Sequence, residues 1–143
     1  MYRIERLDHT QADLVVPTWI ALMRDAVAHG ASVGFVLPLS HAEREDYGQS
    51  IVAAIEAGNR VLLVHTAARR QGIGRELMPV ATLHARVAGR TLLVLDTRSG
   101  DPSERVDRSL GYMLVGIIPG FARSPDANGY DPTSIYYQEL PTE

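Results

Sequence analysis

A short segment with two glycines and three arginines holds the residue types in this chain that most clearly point to chemistry. It reads "RRQGIGR" over residues 69–75 and follows the apolar run "RVLLVHT". A stretch with helical spacing comes after it, from Ile73 to Ala88. Glycines let the backbone approach a ligand closely, and the free N–H groups at the start of a helix attract anions. The pattern therefore predicts an anion site, for which phosphate is the usual occupant.

The glycine spacing does not match two common phosphate-binding motifs. No Gly-Lys-Ser/Thr follows the glycines, as it would in a Walker loop, and the first glycine of a dinucleotide fingerprint is missing. For these residues alone, an ordinary helix start with solvated arginines explains the pattern equally well. The choice between an anion site and an ordinary helix start therefore depends on the surrounding elements and on the rest of the chain.

The elements before the segment are a strand and two helices. "YRIERL" alternates apolar and charged residues, which predicts a short strand. Apolar residues at helical spacing predict a first helix over Ala12–His29. A second helix is expected after Ser40, because Ser40 and Glu43 have the spacing of a capping box.

The elements after the segment complete an α/β pattern within a single domain, residues 1–143. They are the strand "RTLLVLDT", a short helix in "PSERVDRSL", and the strands "YMLVGIIPGF" and "SIYYQEL". Continuous apolar runs predict that "RVLLVHT" and "RTLLVLDT" are buried on both faces. Pro79 inside the helix after the glycines removes one backbone hydrogen bond, which should bend that helix or trim its first turns.

The composition narrows the class of protein. The chain has 143 residues, a net charge of -3 and no cysteine, so disulfides, thiolate metal sites and cysteine nucleophiles are excluded. Nucleic acid is not the expected partner of a chain without a basic patch. No apolar run reaches the ~20 residues that span a bilayer, and the histidines show no metal spacing. We expect a soluble cytoplasmic protein without a metal site.

Several segments resemble the GCN5-related N-acetyltransferases (GNAT family). The segment "VHTAARRQGIG" is similar to the strand, loop and helix start that bind acetyl-CoA in that family, and "SLGYMLVGIIPGF" and "IYYQEL" follow in the family's order. "GASVGF" and "LDTRSG" resemble the subgroup that includes the tabtoxin resistance protein. The resemblance implies a GNAT-like mixed sheet flanked by helices and acetyl-CoA as cosubstrate. The residues it assigns to the cofactor are Val64, Arg69, Arg70, Gln71, Gly72, Ile73, Gly74 and Arg75.

The resemblance also implies a reaction, the transfer of an acetyl group to the amine of a small molecule, such as a toxin or antibiotic. Asp96, at the end of "LLVLD", is the candidate for binding or deprotonating that amine, although a helix-capping or turn role is equally consistent with its position. Asp107 stands where many family members have a tyrosine that acts as general acid. An aspartate with an ordinary pKa is ionised at neutral pH, so either its pKa is raised or another group supplies the proton.

The chain departs from the family just before the glycines. Only nine residues, Arg60 to Ala68, separate Asn59 from Arg69, which is enough for one strand and not for the family's three. The missing hairpin is either present in the protein and absent from this sequence, deleted, or replaced by a strand from a partner chain. If it is deleted, "YRIERL" should pair antiparallel with "RVLLV", and the smaller sheet could form a homodimer over its edge. The alternative function is a CoA-binding or dimeric interaction protein that has lost catalysis.

Overall fold

The structure is a computed structural model that describes residues 3–31, 38–65 and 72–141. In chain order, its elements are β1 (Ile4–Leu7), α1 (His9–Ala28), α2 (His41–Glu56), β2 (Leu62–His65), α3 (Ile73–Val87), β3 (Leu92–Arg98), α4 (Ser103–Ser109), β4 (Met113–Arg123) and β5 (Tyr130–Glu139). They divide into two compact units: Met1–Thr66 with Arg123–Asn128, and Ala67–Ala122 with Gly129–Glu143. Within the described residues, no helix is both long enough and apolar enough to cross a membrane.

The first unit contains a two-stranded antiparallel sheet. β1 pairs with β2 in a register that places Leu7 opposite Leu62 and Glu5 opposite Val64. This confirms the pairing predicted between "YRIERL" and "RVLLV". In the described residues between α2 and α3, β2 is the one strand present.

Two helices pack tightly in the first unit. The rings of Trp19 on α1 and Tyr47 on α2 stack with centroids 5.4 Å apart. A Cβ atom on Gly48 would lie 2.6 Å from Cγ1 of Val16, so glycine is needed for the helices to approach this closely. Ala12, Val27 and Ile51 are buried and form the core of this layer together with Leu7 of β1.

Capping boxes begin both helices of the first unit. The Ser40 side chain accepts from the Glu43 amide and the Glu43 side chain accepts from the Ser40 amide, as predicted. The first helix begins at His9, three residues before the predicted start, because Asp8 and Gln11 form a second capping box. A glutamine at the third helical position carries the same signal as a glutamate.

The second unit contains a three-stranded sheet in the order β3-β5-β4. β3 and β5 run antiparallel, with Asp96 opposite Ile135 and Thr97 opposite Ser134. β5 starts at Tyr130, four residues before the predicted strand. The buried residues of this unit include Tyr112, Tyr136 and Leu140.

The predicted burial of two strands on both faces is wrong. Leu92 and Val94 of β3 are exposed, and residues 62–64 of β2 are half-buried. In the part of the chain that the structure describes, β3 is an edge strand of its sheet, with alternate residues open to solvent along much of its length. A continuous apolar run therefore correctly predicts a strand here, but it does not predict that both faces of the strand are buried.

Candidate functional site

The start of α3 has the geometry of an anion site. Gly72 is its N-cap residue, with a left-handed φ of 80°, and among the described residues no side-chain cap hydrogen bond is present. The Glu76 amide donates to the Gly72 carbonyl at 3.2 Å. The amides of the intervening residues have no acceptor within the helix and point out of its N-terminus, where the helix dipole is positive. This is the position at which the sequence predicts phosphate binding.

The first turn of α3 lies against α4. A Cβ atom added to Gly74 would be 3.7 Å from Cγ1 of Val106, an ordinary contact distance. The contact between α3 and α4 therefore does not require a glycine at position 74. Because Gly74 has no side chain, it leaves the backbone amides at the N-terminus of α3 accessible. Arg75 and Gly74 are exposed, whereas Ile73 is half-buried.

The other residues assigned to the cofactor cannot be joined to this helix start. Arg69, Arg70 and Gln71 lie outside the described residues. Val64 is a half-buried residue of the first unit, paired with Glu5 of β1. Their roles stay predictions.

Asp107 is held by a partner that the sequence analysis missed. Asp107 is 7% exposed, and its Oδ2 accepts a hydrogen bond of 2.8 Å from the Thr97 hydroxyl on β3. Its backbone carbonyl accepts from the Leu110 and Tyr112 amides, each at 3.1 Å. The Asp107 carboxylate is therefore a hydrogen-bond acceptor in a fixed position.

A second polar cluster joins α4 to β5. The Tyr136 hydroxyl donates to Glu104 at 3.1 Å and accepts from Nε of Arg108 at 3.1 Å, while Tyr136 itself is fully buried. Hydrogen bonds from Ser134, the Gly100 amide and Tyr136 lower the pKa of Glu104, with Ser134 the largest contributor. The Ser134 hydroxyl also pairs with the Ser99 hydroxyl at 2.8 Å. Ser134 and Tyr136 share one face of β5 by strand alternation, the sequence signal that could have revealed the cluster.

Asp96 does not join either cluster. Its side chain is exposed on β3, and neighbouring residues of a strand point to opposite faces. Asp96 therefore faces away from Thr97 and Asp107. The structure does not bring the two candidate aspartates together, and among the described residues no group of three histidine or acidic side chains could hold a metal ion.

An open cavity of about 290 Å³ lies on the α3 side of the second unit. Its lining combines residues of α3 with one residue near the C-terminal end of β5 and two residues before β4; it consists of Met78, Pro79, Thr82, Leu83, Arg86, Leu110, Tyr112 and Gln138. Burial raises the pKa of Tyr112, Thr82 opposes this by hydrogen bonding, and the charge of Asp107 adds to the rise. Tyr112 therefore keeps its phenolic proton at neutral pH.

Comparison with solved structures identifies the fold. A GCN5-related N-acetyltransferase from Kribbella flavida aligns with a TM-score of 0.70 over 97% of this chain and 98% of its own, at 16% identity. The chain has the GNAT fold. A ribosomal-protein-alanine N-acetyltransferase from Brucella melitensis gives a TM-score of 0.73 at 17% identity, covering 96% of this chain and 99% of its own.

A third solved structure carries a ligand. A protein from Salmonella typhimurium, assigned as an acetyltransferase and solved with its cofactor acetyl-CoA, aligns with a TM-score of 0.70 and 17% identity, covering 99% of this chain and 95% of its own. No family model matches the chain. The fold class predicted from the sequence is confirmed, while the tabtoxin-resistance subgroup and the deleted hairpin stay predictions.

Proposed function

We propose that the chain is an N-acetyltransferase of the GNAT family that binds acetyl-CoA at the start of α3 and acetylates the amine of a small molecule. The observation that carries the proposal is the N-terminus of α3 behind the left-handed Gly72, where no side chain of the described residues forms a cap. The shared fold supports it, because a similarly folded protein was solved with acetyl-CoA.

The pyrophosphate of acetyl-CoA would take the place of the missing cap. Backbone amides of Ile73, Gly74 and Arg75 would donate to its oxygens, and the helix dipole would favour its charge. Arg69, Arg70 and Gln71 precede the helix and would add charge and hydrogen bonds. The extended backbone at Val64 would pair with the pantetheine arm, as an added strand would.

The reaction is the attack of a neutral amine nitrogen on the thioester carbonyl carbon. A C–N bond forms, the C–S bond breaks, the amine loses a proton, and the sulfur of CoA leaves as a thiolate that is then protonated. Most of the rate enhancement would come from holding the amine and the thioester together. Asp96 is the candidate for binding the cationic amine or taking its proton, since its carboxylate is exposed to an incoming ligand.

A second candidate is a CoA-binding protein without turnover. It is favoured by Asp107, whose carboxylate accepts from Thr97 at the position where the family has a proton donor. On this reading the fold and the phosphate site persist while the acid is lost. The two candidates share the cofactor and differ in turnover.

Two measurements on the purified chain separate the candidates. Calorimetric titration with acetyl-CoA tests the cofactor, and CoA release in the presence of a panel of amines tests catalysis. The panel should contain amino-acid-like amines, aminoglycosides and a peptide with an N-terminal alanine. Binding with turnover of a small amine supports the enzyme, binding without turnover on any amine supports the second candidate, and absence of binding refutes both.

A further inference from the structure

A groove of about 360 Å³ lies between α1 and α2 in the first unit. Its α1 side is lined by four apolar residues, Val16, Pro17, Ile20 and Ala21. The volume is near the lower end of the range for small-molecule sites, roughly 300–1,000 Å³. The groove is therefore large enough to hold the apolar body of a small ligand against α1.

The two ends of the groove differ in polarity. Gly48 of α2 lies against Val16 of α1, whereas Arg44, one turn closer to the start of α2, lines the groove together with Ile20 and Arg24. The two helices are therefore antiparallel. Helical side chains tilt towards the N-terminus of their helix, so the Arg44 side chain extends towards the Arg24 end. The groove has an apolar end at Val16 and a cationic end at Arg24.

Both arginines of the groove lack an acidic partner within the part of the chain that the structure describes. Arg24 is exposed on α1, and Arg44 is half-buried on α2. The acidic residue of the groove, Glu45, instead pairs with His41 on its own helix, with Oε1 3.1 Å from Nε2. A half-buried guanidinium without a counter-charge is unfavourable, so an anionic ligand would stabilise this arrangement.

We infer that this groove binds a small amphipathic anion, with a carboxylate or phosphate head held by Arg24 and Arg44 and an aliphatic chain that extends towards Val16. Guanidinium groups bind such heads through paired, charge-assisted hydrogen bonds. Val16 and Arg24 are eight residues apart on α1, roughly 12 Å along the helix, which is comparable with the length of an octanoate ion. The inference does not depend on acetyl-CoA binding or on turnover.

NMR titration of the isotope-labelled full chain with octanoate, in the absence of acetyl-CoA, tests the inference. Binding should saturate at one octanoate per chain, with the shifts concentrated in residues 16–24 and 41–48. Octyl phosphate should also bind, and the ratio of the two affinities identifies the preferred head. Octanol lacks the charge and acetate lacks the chain, so each should bind at least roughly 10-fold more weakly. Absence of saturable octanoate binding, shifts spread over other elements, or equal binding of octanol would overturn the inference.

Two arginine substitutions test the cationic end of the groove. Arg24→Gln and Arg44→Gln should each lower the octanoate affinity by roughly 10- to 100-fold, because each removes a charged donor. Glutamine has a helix propensity close to that of arginine, so the helices should be kept. Arg60→Gln is the matched control, since Arg60 is exposed and does not line the groove, and it should bind like the wild type. Wild-type affinity in Arg24→Gln and Arg44→Gln would overturn the inference.

A pair of phenylalanine substitutions on α1 tests the apolar part of the groove without disturbing the core. Ala21 lines the groove and is exposed, so Ala21→Phe should fill the space of the aliphatic chain and weaken octanoate binding. Thr18 is exposed on the same helix and does not line the groove, so Thr18→Phe should keep the wild-type affinity. Equal octanoate affinities of the two variants would show that the ligand does not occupy the groove.

Discussion

Replacing Gly72 with alanine tests the proposed phosphate site by changing only the backbone conformation. The residue has a φ of 80°, and a Cβ atom placed on it meets no atom within 4 Å. The cost of Gly72→Ala is therefore conformational: a left-handed alanine is disfavoured by about 1 kcal/mol relative to glycine. A loss of this size lowers the melting temperature of a domain this large by about 3–5 °C.

The same strain should affect ligand binding more than stability. Alanine relieves its strain by rotating the backbone at the N-cap, which turns the first amides of α3 away from a bound anion. Each amide bond to a charged group is worth about 1.5–3 kcal/mol. Losing one such bond lowers the affinity for acetyl-CoA by roughly 10- to 100-fold, a change that calorimetry resolves.

Gly89 supplies the matched control at the other end of the same helix. It has a φ of 70°, and an added Cβ again meets nothing within 4 Å. Gly89→Ala should lose the same stability as Gly72→Ala and keep wild-type affinity for acetyl-CoA. Unchanged affinity in Gly72→Ala, or an equal loss of affinity in Gly89→Ala, would refute the reasoning that the Gly72 backbone presents the phosphate site.

Three further predictions concern the acidic residues. Thr97→Val leaves the buried Asp107 carboxylate without its 2.8 Å donor and should cost about 1–3 kcal/mol of unfolding free energy, whereas Thr91→Val at an exposed position should cost little; equal losses in chemical denaturation would contradict this. The pKa of Glu104 is lowered from 4.5, chiefly by Ser134, so its stabilisation is present above pH 4.5 and is lost as the pH falls through the folded-state pKa. The stability difference between the wild type and Glu104→Gln should therefore shrink below pH 4.5, and a constant difference across acid denaturation would count against this. Asp96→Asn should leave the fold and acetyl-CoA affinity intact while slowing acetyl transfer, and unchanged turnover in the CoA-release assay would remove Asp96 from the mechanism.

Local signals were sufficient to predict most of the elements. The helix that begins after Ser40 was predicted from its capping box and the helix that follows Gly72 from its helical spacing, and both signals act within a few residues. The β1–β2 pairing was predicted from strand direction. The early start at His9 was missed because its capping box pairs Asp8 with a glutamine, Gln11, which is less distinctive in a sequence than a glutamate.

Features that depend on contacts between residues far apart in the sequence were not predicted. Burial of "RTLLVLDT" depends on what covers the sheet, and an apolar run gives no information about that cover. The partners of Asp107 and Glu104 lie 10 and 32 residues away, at Thr97 and Tyr136. Both hydrogen bonds depend on how α4 packs against β3 and β5, and the local sequence pattern does not predict that packing.

Pro79 lowers the stability of the first turn of α3, the turn proposed to bind phosphate, relative to the rest of the helix. Because proline has no amide, the Arg75 carbonyl loses its helical donor, and the helix continues through the gap from Ile73 to Val87. The first turn is therefore joined to the rest of α3 by fewer bonds and can open without unfolding the remainder. An anion bound at that turn would hold its amides in the helical arrangement. Anion binding would therefore favour the closed turn, and a closed turn would bind the anion more tightly.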